Sequence, residues 1–300
     1  MNIVSGFIHN INRRVDRDIT KYLQFGLELM AVEIPMTVFI EKAVFEEHIL
    51  PLLTVPIKTA GSFVYRATGG VMDGLQQTYF YQVYGHVTFV YFEIHHLFLW
   101  PYRKMAHQFQ LNTGNPCKDT LEYMMVQCQK TEWMAIAIQF REKHNALGMT
   151  GNECKEYIWV DFGSFHMFHG KIDIFQTELY KLRSRVNARI TTLGESSHVC
   201  LASCWNPNAT YYGDIHKDIH WLFAGSVFGG GANVLNQFAT EMREKCMQIL
   251  REKNTLMWEI NIWAILYWHK ERHKERHKEQ NPMFVLYPSD HSDIIFRGYS

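Results

Sequence analysis

No excess charge of either sign marks this sequence: 30 Lys and Arg offset 30 Asp and Glu over 300 residues. A dedicated nucleic-acid binder draws its affinity from clustered basic charge, so neutrality argues against that class. It leaves room for a local basic pocket that holds a phosphate. The cysteines, Cys117, Cys128, Cys154, Cys200, Cys204 and Cys246, form no CxxC pair. Cys200 and Cys204 stand four apart, without the second pair or Cys-His knuckle of a zinc site, so all six read as free thiols of a reducing compartment. The chain does not open on a basic region followed by a long apolar one, so no signal peptide is expected. Its most apolar stretch, 87–100, carries Glu93, His95 and His96 and is too short and too polar to span a bilayer. These absences point to a soluble, cytoplasmic protein, with peripheral membrane contact as the open alternative. What is present is apolar mass: 47% hydrophobic and 14% aromatic residues allow a sizeable core. The length suits one large α/β domain or two small ones.

Hydrophobic periodicity organises much of the chain. Residues 2–7 read as a buried strand and 10–17 as a polar loop. Tyr22, Phe25, Leu29 and Val32 recur at helical spacing over 19–32, Pro35 ends that helix, 36–40 is a second strand and 43–50 a second helix. Strand-helix-strand-helix is the opening of a parallel sheet with crossover helices. Glycines punctuate 51–86, and its elements cannot be placed. Helices are expected over 119–129, 132–144, 179–189, 234–253 and 259–268, with strands over 157–160, 221–227 and 284–287. Residues 269–279 repeat HKER; His269, His273 and His277 would share a helical face able to bind metal, but a solvated helix extension held by Glu-to-Lys and Glu-to-Arg pairs is the favoured reading.

One stretch is richest in chemistry. In 157–166, YIWVDFGSFH, an apolar run meets Asp161, and Gly163 follows. A buried strand reads this way, with a carboxylate at its C-terminal lip, where α/β sheets bind ligands. Either Asp161 serves a hard metal ion carrying a phosphate, or it caps the next turn.

Several segments together resemble a known family: WVDFGSFH (159–166), FAGSVFGG (223–230), NTLMWEINIW (254–263), NPCKDTLEYMMVQCQKTEW (115–133) and IVSGFIHNINRR (3–14). The likeness is to the HtrL/YibB-type, or WlaTC, glycosyltransferases; it covers nearly the whole chain, with 51–110 least clear and 269–279 reading as an insertion. The resemblance implies a GT-A-like, Rossmann-like fold: a mixed, mostly parallel central sheet flanked by helices in one domain over 1–300. A nucleotide-binding part would span about 1–165 and an acceptor-side part about 166–300. The implied activity moves a sugar from a nucleotide-diphosphate sugar to a glycan or a lipid- or protein-linked hydroxyl acceptor, with Mn²⁺ or Mg²⁺ on the donor diphosphate.

The resemblance assigns roles residue by residue. Asp161 is the expected metal ligand, although Gly163 stands where a DxD-like motif has its second acid. His291 would be the second ligand, with Asp290 and Asp293 as alternatives, and an ordinary surface turn competes with all three. Gly225, Gly229 and Gly230 would let donor sugar or backbone approach closely, or simply make a tight turn. Glu259 is the candidate base, a carboxylate among Trp258, Ile260 and Trp263, or else an acid favoured at a helix start. Arg13 and Arg14, with Arg17, and Lys118 are candidate phosphate contacts; Asp119 or Thr120 would cap the following helix. A non-catalytic carbohydrate- or nucleotide-binding protein on the same fold is the rival reading. A sugar-nucleotide pyrophosphorylase would need a Gly-rich basic loop after the first strand, which 7–12 do not supply.

Overall fold

A computed structural model describes residues 1–9, 18–69, 74–111, 114–146, 154–207, 213–277 and 282–299, with side chains given to 145 and 271 in the two helices that end there. The elements run β1 (Asn2–Phe7), α1 (Ile19–Met30), β2 (Met36–Ile40), the single turn α2 (Lys42–Val44), β3 (Ile57–Arg66), β4 (Gln76–Tyr84), β5 (Val87–Tyr91), α3 (Leu121–Ala146), β6 (Tyr157–Val160), α4 (Ile172–Leu193), β7 (Val199–Ser203), β8 (Phe223–Gly230), α5 (Ala232–Lys253), α6 (Glu259–His277) and β9 (Phe284–Pro288). A wider turn, Phe45–Ile49, continues α2.

All nine strands form one sheet in the order β3-β4-β5-β2-β1-β6-β8-β7-β9. The expected mostly parallel sheet is corrected here. The middle strands β5, β2, β1 and β6 pair parallel, as do β7 and β9 at the far edge. β3 with β4, β4 with β5, β6 with β8 and β8 with β7 pair antiparallel. The architecture is a mixed α/β sheet with helices on both faces. Strands from both halves of the chain share it, because β6 and β8 lie side by side.

Side-chain alternation sorts the core into two layers. Val4, Phe39, Tyr157 and Trp159 pack with α3, α5 and α6 on one face. Ile3, Met36, Val38, Ile40, Ile158 and Val160 pack with α1 and α4 on the other. The 119–129 and 132–144 helices are one continuous helix, α3. Thr120 Oγ1 accepts from the backbone N–H of Tyr123 at 3.3 Å, which makes Thr120 the cap. The unplaced segment 51–86 is largely the β3–β4 hairpin. None of the six cysteines forms a disulfide. Among the described residues no helix is long and apolar enough to cross a membrane.

Candidate functional site

Parallel strands β1 and β6 both end at one rim of the sheet, and a cavity of about 820 Å³ opens there. Its size is that of a cofactor or substrate site. Asp161 follows β6 directly, and its backbone N–H donates to Ser226 O at 2.9 Å, so it extends the β6–β8 pairing by one step. Glu259 starts α6 on the face that also carries α3. His291 comes from the segment after β9. All three line the cavity.

The centre of the site is a residue that the sequence reading did not single out. Lys130, on α3, reaches the floor of the cavity with its side chain only 5% exposed. Its ammonium lies 3.0 Å from Glu259 Oε1, 3.1 Å from Asp161 Oδ1 and 3.0 Å from the carbonyl oxygen of Gly225. Burial works against this charge, the carboxylates of Asp161 and Glu259 outweigh it, and the lysine pKa stands above its ordinary value. The Glu259 carboxylate therefore has a fixed cationic neighbour. Its other oxygen, Oε2, is buried and has no hydrogen-bond partner among the described residues.

Asp161 is held from two sides. Trp159 Nε1 donates to Oδ1 at 2.6 Å, on the oxygen that Lys130 also approaches. The Trp159 ring stacks on Trp133 of α3, with centroids 5.6 Å apart and planes 7° from parallel. The Asp161 side chain keeps 36% exposure. Trp221, Trp258, Tyr22 and Tyr123 add further aromatic wall. Flat apolar rings beside a few polar groups suit a ligand with both a ring face and hydroxyls.

The remaining expected residues divide. Lys118 lines the cavity, its ammonium 6.0 Å from the Tyr123 ring centroid. Gly225 also lines it, and a Cβ there would strike Glu259 Oε1 and come within 3.0 Å of Ile260 Cγ2. The close approach that Gly225 allows is thus made by a carboxylate of the protein itself. Gly229 and Gly230 lie toward the other end of β8, outside the cavity, where a Cβ would meet the Tyr157 and His198 carbonyl oxygens. His291 is exposed, with Nδ1 3.5 Å from Ser226 Oγ and its ring 5.9 Å from that of His166. Asp290 and Asp293 do not line the cavity. Arg13 and Arg14 lie outside the described residues.

The donor set does not fit the expected divalent ion. Mn²⁺ and Mg²⁺ take about six ligands, mainly oxygen. Here the one carboxylate at the strand lip already binds an ammonium and an indole N–H, and the next acid, Glu259, lies across that same ammonium. Among the described residues no three His, Cys, Asp or Glu side chains gather as a metal site.

No protein-family profile, curated protein or solved structure matches the chain.

Proposed function

We propose that this protein is a glycosyltransferase that moves a sugar from a nucleotide-diphosphate donor to a hydroxyl acceptor, in the manner of the HtrL/YibB-type proteins that its segments resemble. One observation carries the reading: Asp161, Glu259 and His291, from three separate parts of the chain, line a single large cavity at the carboxyl ends of parallel strands. That is where α/β sheets bind nucleotides and their relatives. The aromatic wall suits a nucleobase or a sugar face. Lys118 supplies a cation for the diphosphate.

In the chemistry proposed, the acceptor oxygen attacks the anomeric carbon and the bond from that carbon to the diphosphate oxygen breaks. The hydroxyl proton passes to Glu259 Oε2, the oxygen that Lys130 leaves unpaired. A retaining route would use Glu259 without this proton transfer.

The rival reading, a binding protein without turnover, draws support from the Lys130–Glu259 pair, because an ammonium at 3.0 Å occupies one oxygen of the expected base. The two readings part in one experiment. A panel of nucleotide sugars is screened for a rise in melting temperature, since binding to the native state stabilises it. The hits are then assayed for nucleotide release with sugar acceptors. Release that is abolished in a folded Asp161→Ala variant supports transfer. A thermal shift without release supports the binding protein. Full release by Asp161→Ala removes Asp161 from the mechanism.

A further inference from the structure

Three oxygens of different origin converge on one buried point: Asp161 Oδ1 after β6, Glu259 Oε1 at the start of α6 and the Gly225 carbonyl in β8. Two carboxylates and a carbonyl are the ligand types of a hard divalent cation. Their distances to the common centre, 3.0 to 3.1 Å, are those of hydrogen bonds to an ammonium. Metal–oxygen bonds are shorter, about 2.0–2.6 Å. The centre is Lys130 Nζ.

We propose that Lys130 is the resident cation of this site, taking the place that a divalent ion would occupy between Asp161 and Glu259, so that the protein holds its ligand without a metal ion. The inference deepens the function proposed above and rests on it for the ligand. The physical case has three parts. An ammonium has three N–H groups, and here three groups accept them: Glu259 Oε1, the Gly225 carbonyl and the Asp161 carboxylate, which receives the hydrogen bond on Oδ2 at 3.5 Å while Oδ1 forms the closer ion pair. A divalent ion brought to Asp161 would face a fixed positive charge about 3 Å beyond the carboxylate oxygen, and in a poorly solvated cavity that repulsion is little screened. The arrangement is also tightly built. The site leaves no room for a side chain at Gly225, whose Cβ would displace Glu259. Trp159 holds Asp161 Oδ1 in place from the sheet side. Lys130 is therefore a positioning residue: it fixes both carboxylates and balances one of their two charges.

Mn²⁺ itself tests this without any use of sugar transfer. The free ion gives a six-line electron paramagnetic resonance signal that fades on binding. Wild type, Lys130→Ala and Asp161→Asn are titrated with MnCl₂, alone and with uridine diphosphate; Lys130→Gln replaces Lys130→Ala if the latter does not fold. The wild type is expected to leave Mn²⁺ free in both conditions. The Lys130 variant, with two carboxylates and a carbonyl around a vacated centre, is expected to bind Mn²⁺ at least tenfold more tightly than the wild type and to melt at a higher temperature when Mn²⁺ is added. Retention of Mn²⁺ by the wild type and its loss in Asp161→Asn would overturn the proposal. So would a Lys130 variant that leaves Mn²⁺ free, since the ammonium would then not stand in a cation site. Failure of every nucleotide sugar to bind would instead count against the glycosyltransferase reading, and the Mn²⁺ titration would still judge Lys130.

Discussion

Trp159 donates its indole N–H to the carboxylate of Asp161, two residues further along the same strand direction, at 2.6 Å. Alternation places the two on one face of the sheet, so a short chain segment carries both the acid and the group that aims it. Trp159→Phe keeps a ring against Trp133 but removes the donor together with part of the buried ring volume. We predict a loss of about 2–3 kcal/mol in stability, the cavity adding to the lost hydrogen bond. A misaimed Asp161 that costs about 1.4 kcal/mol in the transition state would lower nucleotide release by about tenfold. Chemical denaturation and a release assay on the same preparation separate the two effects. Unchanged release would mean that the Trp159 bond serves folding alone.

Gly225 and Glu259 are in such close contact that the glycine cannot be enlarged without moving the acid. We predict that Gly225→Ala costs about 1–3 kcal/mol, the usual range for overpacking. Because the added methyl points at Oε1, the Lys130–Glu259 pair should lengthen. A crystal structure of the variant would show this, and loss of release beyond the loss of folded protein would report it in solution. A variant with wild-type stability and activity would show that Glu259 has freedom that its packing does not suggest.

The parts of the fold that could be read in advance share a strong local pattern. β1, α1, β2, β6 and α5 are bounded apolar segments whose period matches their structure. The β3–β4 hairpin was not legible because the first six residues of β3 are almost all exposed on both faces, so no alternation marks them. β7, five residues with four buried, is too short to stand out in a chain this apolar. Strand direction is set by how β8 folds back against β6 and β7, which no local pattern encodes. Asp161 and Glu259 could be picked out as acids beside apolar runs. Lys130 could not, because Gln129, Lys130, Thr131 and Glu132 look like a polar break between two helices. They are a buried polar belt inside one helix: Gln129 accepts from the N–H of Phe98, and Glu132 accepts from Tyr65 and pairs with Arg243. Four consecutive polar residues between two apolar runs, 123–128 and 133–138, with no Gly or Pro to break the helix, are the signal that could have found it. The repeat from 269 continues α6 as far as His277, and Lys270 pairs with Glu241 of α5.

His144 is buried with both ring nitrogens in hydrogen bonds, Nδ1 to Phe140 O at 2.7 Å and Nε2 to Tyr81 Oη at 2.8 Å. Burial holds its pKa below the ordinary value, and the charges of Lys143 and Arg141 push the same way, against the carbonyl of Phe140. The unfolded chain then takes up the proton more readily than the folded one. The stability from neutral His144 is complete above the usual histidine range, near about 6.5, and is lost as the pH falls below it. We predict that the melting temperature falls between about pH 7 and about pH 5, and that His144→Gln falls less over the same interval. Other groups titrate in both proteins, so the difference between the two curves is the measure. Parallel curves would show that His144 contributes nothing to the acid sensitivity.

Glu259 is the sharpest test of the proposed chemistry because its two oxygens have different surroundings. Oε1 is bound to Lys130, and Oε2 is buried with no hydrogen-bond partner among the described residues. An unpaired buried carboxylate oxygen is costly unless a ligand supplies the missing donor. Glu259→Gln keeps the size of the side chain, removes the proton acceptor, and leaves Lys130 with Asp161 as its remaining carboxylate. We predict that turnover falls by about a hundredfold or more, the range for loss of a general base, while the donor's affinity changes little. The measurement is kcat and KM for donor and acceptor separately, on protein shown to be folded. A rise in the acceptor KM with unchanged kcat would make Glu259 a binding group whose Oε2 accepts a substrate hydroxyl. If neither constant moves, Glu259 takes no part in transfer, and its pairing with Lys130 is a feature of the fold alone.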